Sequence, residues 1–369
     1  MQKVGLSCAA LLFAPLSLFG NTFLENDFRD YNATYHFQAH LDAKSNKLAF
    51  NTFEQEWIDP PPHKEENRAF GNLSFSAFIS LESWRIGAFN QKISQIFVND
   101  GFIQTWHRAE KDFWILLGMS DINQQIGNVP IEGDGVYISS SGLFLQKVLS
   151  MDSKNHFAIK TKLHIADDLQ SIKASGLSTD EKFEGSFDYY YAEKNFISKR
   201  SDRDDSKGLG YSVDVEYIYD DDTFYFYLGA FNLHSFIYYK DVTLMHYDFD
   251  SETIYVGEDG YNHYKPFGVG YYKENSTLKQ KIPHFYKSSF NYVYNDQISL
   301  GNNLDLYDGV YYNEPYVNVK IGNGRYKVGC VIENQEFVFG AYFKNLALGI
   351  SNSFGLGNDM IAADVKLRF

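Results

Sequence analysis

The sequence predicts an all-β fold, a transmembrane antiparallel β-barrel of about 16 to 18 strands. Three observations lead to this prediction. The chain of 369 residues opens with a short basic segment followed by an apolar one. Apolar and polar residues then alternate with a period of two through much of the sequence. Aromatic residues make up 17% of the chain and recur inside that alternation, as is typical of outer-membrane barrels.

The N-terminus has the features of a cleaved export signal. Lys3 supplies a basic charge, an apolar stretch runs from Val4 to Phe19, and Gly20 offers a small residue at the cleavage point. We therefore expect residues 1–20 to be removed as a signal peptide. Residues 21–369 are then expected to form one barrel in the bacterial outer membrane, part of the Gram-negative cell envelope.

Composition excludes several other classes of protein. After the signal, no apolar run is long enough to cross a bilayer as a helix. The net charge of −14 argues against nucleic acid as a partner, because phosphate binding needs a basic surface. Cys330 is the only cysteine after cleavage, so an internal disulfide is excluded. Cys8, within the signal, leaves a lipoprotein site as an alternative hypothesis.

The alternation is clearest at the C-terminus. Ile361, Ala363, Val365, Leu367 and Phe369 share one face, and Asp364, Lys366 and Arg368 share the other. A soluble strand with one face toward a core has the same pattern. In a barrel, however, a terminal strand ending on an aromatic residue is expected to be read by the barrel-assembly machinery, with Phe369 as the signal.

Similar segments recur along the chain, and this recurrence favours the barrel. They cover residues 33–41, 72–79, 157–165, 183–191 and 211–219, and then 317–321, 326–332, 337–343 and 346–350. Segments of this kind match the strands of outer-membrane barrels. Such a sheet has to close on itself, because a bilayer has no water to satisfy an unpaired edge.

The connections fall into two classes. Short ones at Asn323-Gly324, Asn334-Gln335 and Lys344-Asn345 suit tight hairpins. Long polar ones are expected at residues 59–66, 166–181, 198–205, 240–265 and 272–283. The long connections are expected on the extracellular side and the short turns on the periplasmic side.

The polar faces of the strands predict the wall of the lumen. Lys160, Lys162 and His164 share one face of a strand, and Asp214 and Glu216 share one face of another. Charge on the lipid face is costly, so these five residues are expected to line the pore. A wall of mixed charge with many tyrosines suits neutral polyhydroxy solutes. The alternative is that these residues only hydrate and stiffen the wall.

One region resembles a known family. Residues 101–107 (Gly-Phe-Ile-Gln-Thr-Trp-His) and 113–126 (Phe-Trp-Ile-Leu-Leu-Gly-Met-Ser-Asp-Ile-Asn-Gln-Gln-Ile) precede Gly142-Leu143-Phe144-Leu145. This arrangement resembles the carbohydrate-selective porins of the OprB type. The chain departs from their pattern at Ile126, where that family has Phe, and in the long insert at 127–141.

The resemblance implies a 16-stranded barrel that admits sugars. It places Asp121 and Asn123 where a strand passes into a pore loop, with a carboxylate and an amide available to sugar hydroxyls. The alternative is that both side chains organise their own turn.

The sequence thus predicts a porin for passive diffusion of small hydrophilic solutes, with carbohydrates as the favoured class. The alternative is a closed or narrow barrel that acts as an adhesin or structural protein, or that transports another small solute. An enzyme is not expected: His36 and His40 would lie about 13 Å apart along a strand. No cofactor or metal is expected. Expected partners are outer-membrane lipid and lipopolysaccharide, the barrel-assembly machinery and the solutes, with a homotrimer kept as a possible assembly.

Overall fold

The computed structural model describes most of the barrel. The described residues are 35–45, 66–102, 128–179, 183–192, 206–221, 223–250, 254–258, 260–265, 268–322, 324–332, 336–342, 346–352 and 361–368. The expected signal peptide and Phe369 lie outside them. Within these ranges, no helix is long and apolar enough to cross a membrane.

Strands make up most of the described chain. The first nine are β1 (Tyr35–Ser45), β2 (Glu66–Leu81), β3 (Trp84–Asn99), β4 (Val129–Ser150), β5 (Asn155–Ser178), β6 (Phe183–Tyr191), β7 (Gly208–Asp220), β8 (Phe224–Phe231) and β9 (Phe236–Asp250). The next five are β10 (Ile254–Val256), β11 (Asn262–Tyr264), β12 (Gly268–Gln280), β13 (Phe285–Val293) and β14 (Ile298–Tyr307). The last five are β15 (Val310–Ile321), β16 (Gly324–Val331), β17 (Glu336–Tyr342), β18 (Leu346–Asn352) and β19 (Ile361–Arg368).

Seventeen of these strands form one antiparallel sheet that closes on itself. The closing pair joins β1 to β19, with His36 opposite Arg368, and β1 pairs with β2 on its other side. β10 and β11 form a separate hairpin. The predicted fold class, an antiparallel β-barrel, is confirmed, and the number of strands in the sheet falls within the predicted range.

Each position around the barrel wall that is filled by one strand, or by two strands placed end to end, is called a column. Three neighbouring columns contain two strands each. Residues 155–166 of β5 pair with β7 and residues 170–178 pair with β6, so β6 and β7 run one behind the other. β8 and β9 share the next column, and β12 and β13 share the third. The described sheet is therefore fourteen columns around, and not the sixteen that the resemblance implies. The interruptions of the second and third columns lie side by side, at residues 232–235 and 281–284, whereas β6 and β7 meet β9 on either side of residues 240–242.

The outer face carries an exposed apolar band. Leu143 and Leu163 point outward and are 63% and 61% exposed. Exposed aromatic side chains border the band near one end of the barrel, among them Tyr35, Trp84 and Tyr292. An apolar belt of this extent around a closed sheet is stable in lipid and not in water. The protein is a bacterial outer-membrane β-barrel.

Short turns gather at one end of the barrel. The turns after β2, β4, β7, β13 and β15 lie there, together with the first residue of β1 and the last of β19. This arrangement matches the periplasmic end of such barrels. One tight turn, Asp308-Gly309, lies at the opposite end. Its φ angles of 48° and 84° fit a type I′ turn, for which Asp-Gly is a preferred pair.

The long loops predicted at 166–181, 240–265 and 272–283 are mostly strand, so this part of the prediction is wrong. β5 continues to Ser178, β9 continues to Asp250, and β12 covers Gly268–Gln280. These segments extend the wall beyond the apolar band. Residues 269–275 of β12 are exposed on both faces, so the alternation that reveals a strand in the sequence is missing there.

The position of the band predicts the effect of a charge on the outer face. Leu145→Arg places a cation in the middle of the band and is expected to lower the free energy of unfolding by about 2–4 kcal/mol. Ser141→Arg is the control, because Ser141 lies on the same face at the edge of the band, where Asn90 donates a hydrogen bond to it over 2.8 Å. Denaturant unfolding from lipid vesicles measures both. Equal losses for the two variants would place the band elsewhere.

Candidate functional site

Aromatic side chains from opposite walls meet across the lumen. Phe70 of β2 lies against Phe285 of β13 and Tyr307 of β14, with ring centroids 5.5 Å and 4.2 Å apart. Nearly half the circumference separates β2 from β13 and β14. The contacts therefore span the interior of the barrel and do not run along its wall.

Charged side chains cross the lumen at the same height. Lys44 of β1 donates a hydrogen bond to Asp305 of β14, and Arg68 of β2 donates one to Asp308 at the end of β14. The rings and ion pairs together are called the constriction. It consists of Phe70, Phe285 and Tyr307 with the pairs Lys44–Asp305 and Arg68–Asp308.

Buried apolar residues surround the constriction. They come from most columns of the wall and include Ile93, Ile138, Leu169, Ile237, Tyr239, Val242, Ile282, Tyr312, Val331 and Val338. Each is at most 3% exposed. The described lumen is therefore filled by packed side chains at this height, which differs from the wet wall expected from the sequence.

The broken columns join one another beside the constriction. Asn232, between β8 and β9, donates a side-chain hydrogen bond to the carbonyl oxygen of Pro283, between β12 and β13, over 2.9 Å. Its backbone N–H donates to Asp214 over 3.0 Å, and its φ of 55° is a left-handed conformation that Asn tolerates. Ser235 donates to the carbonyl oxygen of Ile282 over 3.1 Å. These bonds satisfy backbone groups that the interrupted ladders leave unpaired.

A polar cavity of about 160 Å³ lies between the constriction and the periplasmic end. Phe231 and Phe285, stacked with centroids 4.7 Å apart, form its roof. Its wall is drawn from β1, β2, β3, β4, β5, β7 and β13. Polar and charged lining residues are Gln38, His40, Asn72, Ser74, Ser76, Arg85, Gln91, Gln146, Lys160, Lys162, Asp214, Glu216 and Lys287.

Four residues that the sequence assigned to the lumen line this cavity. Lys162 on β5 pairs with Asp214 on β7 over 2.8 Å, and Lys160 lies 3.9 Å from Glu216 on the same two strands. Gln146 and Tyr227 also donate hydrogen bonds to Glu216, over 3.2 Å and 3.0 Å. The two anions are thus held in place by the strands beside them.

His164, the fifth residue, has a different environment. It is 2% exposed and is held between Ser140 and Ser212, at 3.1 Å and 2.9 Å from its two ring nitrogens. Phe89 packs edge-on against the imidazole. His164 faces the interior and packs within the wall beside the cavity.

Sequence reasoning missed the aromatic side of the cavity. Phe78, Phe89 and Phe144 form a buried cluster there, with Phe78 and Phe144 edge to face at 5.7 Å. Arg85 adjoins it, with its guanidinium carbon 5.4 Å from the centre of the Phe78 ring. A Cβ on Gly87 would lie 2.8 Å from a Phe144 ring carbon, so glycine makes room for that ring. Phe78 breaks the apolar–polar alternation of β2, and that exception was the available signal.

Two predicted site residues lie outside the described residues. They are Asp121 and Asn123, which belong to the segment at 113–126 that carries most of the resemblance. Of that region, the structure describes residues 101–102 and Gly142-Leu143-Phe144-Leu145 on β4. Phe144 points into the cavity and Leu143 points toward lipid.

The two histidines weighed for catalysis lie on β1. His36 stacks on Phe78 with centroids 4.5 Å apart, and its Nε2 lies 3.0 Å from the Ser80 hydroxyl. His40 lines the cavity, 3.9 Å from Asp42. In the part of the chain that the structure describes, no three His, Cys, Asp or Glu residues are grouped as a metal site.

Above the constriction, an aromatic cluster lies on the face of the sheet that points away from the lumen. Phe187, Tyr189 and Tyr191 of β6 pack with Met245 and Phe249 of β9, and all five are buried. Ile131 of β4 joins the cluster. The backbone register shows the direction, because the cluster is out of phase with the inward-facing pair Ile138 and Leu169.

The inner face of this extracellular extension carries a histidine between two carboxylates. Nδ1 of His246 lies 2.7 Å from Asp188, and Nε2 lies 3.0 Å from Asp248. Tyr271 of β12 stacks on the imidazole with centroids 5.0 Å apart. The hydrogen bond to Asp188, followed by that to Asp248, raises the pKa of His246 above its ordinary value despite partial desolvation.

No family model and no curated protein sequence matches the chain. Several bacterial channels are among the solved structures that are similar in architecture. A TodX deletion mutant, described as a monoaromatic hydrocarbon channel, has a TM-score of 0.43 and 11% identity over 98% of this chain and 92% of its own. The toluene transporter TodX of P. putida scores 0.38 with 11% identity over 99% and 93%. A FadL homologue of Pseudomonas aeruginosa scores 0.36 with 9% identity over 90% and 87%.

The His246 geometry predicts a pH effect. A pKa that is raised on folding adds stability that is fully present below the unfolded pKa of about 6.5 and is lost as pH rises through the folded pKa. Asp188→Asn is expected to lower the pKa of His246, measured by NMR titration of its imidazole. Asp250→Asn is the control, because Asp250 pairs with Lys265 instead, and it should leave the titration in place. An unchanged midpoint in Asp188→Asn would contradict the assignment.

Proposed function

We propose that the barrel passes a small solute across the outer membrane through a narrow lumen. The observation that carries this proposal is the constriction, where rings from opposite walls touch directly above a polar cavity. Passage then requires the side chains of Phe70, Phe285 and Tyr307 to change rotamer, while the closed ring of backbone hydrogen bonds stays intact. This is transport through a gated gap and not free diffusion through an open pore.

A hydrophilic solute of ring size, with carbohydrates as the first class to test, is the cargo we favour. The cavity volume of about 160 Å³ is close to the roughly 150 Å³ that holds a benzene ring in an engineered protein cavity. The cavity places amide and charged groups, which can hydrogen-bond to a solute, beside the rings of Phe78, Phe89 and Phe144, on which the solute can stack. The resemblance of residues 101–145 to carbohydrate-selective porins supports the same class.

An apolar solute is the second candidate. The buried apolar layer around the constriction favours it, because a solute that crosses the lumen has to pass these side chains. Such a solute would be held at the constriction rather than in the polar cavity below it.

In either case we propose passive transport without a covalent step. Binding along the path has to stay weak, because a solute that binds tightly does not leave. The ion pairs of the cavity wall then serve to fix the shape of the cavity and the electrostatic potential inside it.

Opening the constriction tests the proposal. Phe285→Ala removes the ring that Phe70 and Tyr307 contact, so single-channel conductance in a planar bilayer is expected to rise about threefold or more. Tyr286→Ala is the matched control, because its side chain points outward on the same strand. Both proteins are first shown to be folded by their resistance to denaturant in lipid. A wild-type conductance already as large as that of Phe285→Ala would contradict a closed resting lumen.

The cargo is tested by uptake into proteoliposomes. Faster entry of glucose than of toluene, together with reversible block of residual current by maltodextrin, is expected for the first candidate. Toluene entry that is fast and insensitive to glucose would favour the second. Protein that is folded but passes neither solute would overturn the transport proposal.

A further inference from the structure

Asp42 of β1 is a point where bonds that cross the lumen meet. Its side chain is fully buried and accepts a hydrogen bond from the hydroxyl of Tyr307 on β14. The amine of Lys287 on β13 donates to the same carboxylate oxygen over 3.5 Å. β1 and β13 lie on opposite sides of the ring of strands. Asp42 therefore ties one wall of the barrel to the wall that faces it.

The carboxylate of Asp42 is held in this position by its neighbours. Lys44, on the same strand, lies 3.6 Å from Asp42 and also bonds to Asp305 on β14. The imidazole of His40 lies 3.9 Å from Asp42. A buried carboxylate stays charged only where cations and hydrogen-bond donors surround it. Contacts from β1, β13 and β14 thus fix the acceptor that the Tyr307 hydroxyl meets.

Tyr307 joins this network to the aromatic rings of the constriction. Its ring centroid lies 4.2 Å from that of Phe70 and 5.4 Å from that of Phe285. The hydroxyl at the far end of the same ring is bonded to Asp42. Because the carboxylate is fixed, the ring cannot rotate out of the gap without breaking this hydrogen bond.

The bond from Tyr307 belongs to the strong class of hydrogen bonds. Bonds to an ionised group are about twice as strong as those between neutral groups. The hydroxyl also lies 3.5 Å from Asp305, but a tyrosine has one proton to donate, and the bond to Asp42 is the shorter one. Phe70 and Phe285 carry no polar group, so packing alone holds those two rings.

We propose that Asp42 is a positioning residue of the gate and that it holds Tyr307 in the closed rotamer through this hydrogen bond. The proposal deepens the proposed function, on which it rests, by naming a bond that has to break before a solute passes. Asp42 acts on the passage of a solute through Tyr307 and not by direct contact.

Tyr307→Phe tests the proposal, because it removes the hydroxyl and keeps the ring. The refolded full chain is recorded as single channels in a planar bilayer, after each variant is shown to be folded by its resistance to denaturant in lipid. The fraction of time spent open, called the open fraction, is expected to rise about tenfold or more. The conductance of the open state is expected to stay at the wild-type value, since the ring is still present.

Tyr316→Phe is the matched control. Tyr316 is buried on the neighbouring strand β15, and its hydroxyl donates to the carbonyl oxygen of Phe290 over 3.3 Å. This change removes the same chemical group and a hydrogen bond to a different acceptor. The open fraction of Tyr316→Phe is therefore expected to equal that of the wild type.

Substitutions of Asp42 test the other end of the bond. Asp42→Asn removes the charge with little change in shape and is expected to raise the open fraction as Tyr307→Phe does. Asp42→Glu keeps the charge and is expected to restore part of the closure. The double variant Asp42→Asn/Tyr307→Phe is expected to open no more than the more open single variant, because both changes remove the same bond. A general loosening of the barrel would instead multiply the two effects.

The outcomes separate this proposal from the proposed function. An open fraction of folded Tyr307→Phe equal to that of Tyr316→Phe would overturn the proposal, and so would single effects that multiply in the double variant. If Phe285→Ala still raises the conductance, the constriction remains the gate and only the role of Asp42 is lost. If Phe285→Ala leaves the conductance unchanged as well, the proposed function itself fails.

Discussion

Closure of the sheet is the constraint on which the rest of this structure depends. Within a bilayer each backbone N–H and C=O has to be paired, and the pairing of β1 with β19 completes the ring. Closure fixes one face of each strand toward lipid and the other toward the lumen. Fourteen columns enclose more space than a single layer of side chains fills, so the lumen needs its own structure. The constriction and the ion pairs supply that structure.

Charge inside the barrel is organised by compensation. Taking an ion from water into a low-dielectric interior is costly, so buried charges are paired. Lys162–Asp214 and Lys160–Glu216 follow this rule between neighbouring strands, whereas Lys44–Asp305 follows it across the lumen. Ion pairs between neighbouring strands thus stiffen the wall, whereas the ion pair across the lumen narrows the passage. The cavity lies between the two and is lined by charges of both signs.

The fold was predictable because lipid imposes a simple pattern. β6 was predicted at its observed bounds, and β7 and β16 were predicted to within a few residues, from alternation alone. Alternation failed for β12, which water meets on both faces. Alternation also could not show that β6 and β7 share one column, because the sequence of a strand does not reveal which part of a neighbouring strand it pairs with. For the site, the inward direction of Lys160, Lys162, Asp214 and Glu216 followed from alternation, but the cross-lumen contacts of Phe70 and Asp305 join segments more than two hundred residues apart.

The three interrupted columns give the wall a mechanical consequence. β5 runs unbroken beside them, bonded to β7 in its lower half and to β6 in its upper half. The lower tier belongs to the closed ring of backbone hydrogen bonds. The upper tier is attached to it by β5, by the pairing of residues 236–239 of β9 with β7, and by the short links at 232–235 and 281–284. A load on the extracellular tier is therefore transmitted to the ring through two hydrogen-bonded ladders, that of β5 and that between β7 and β9.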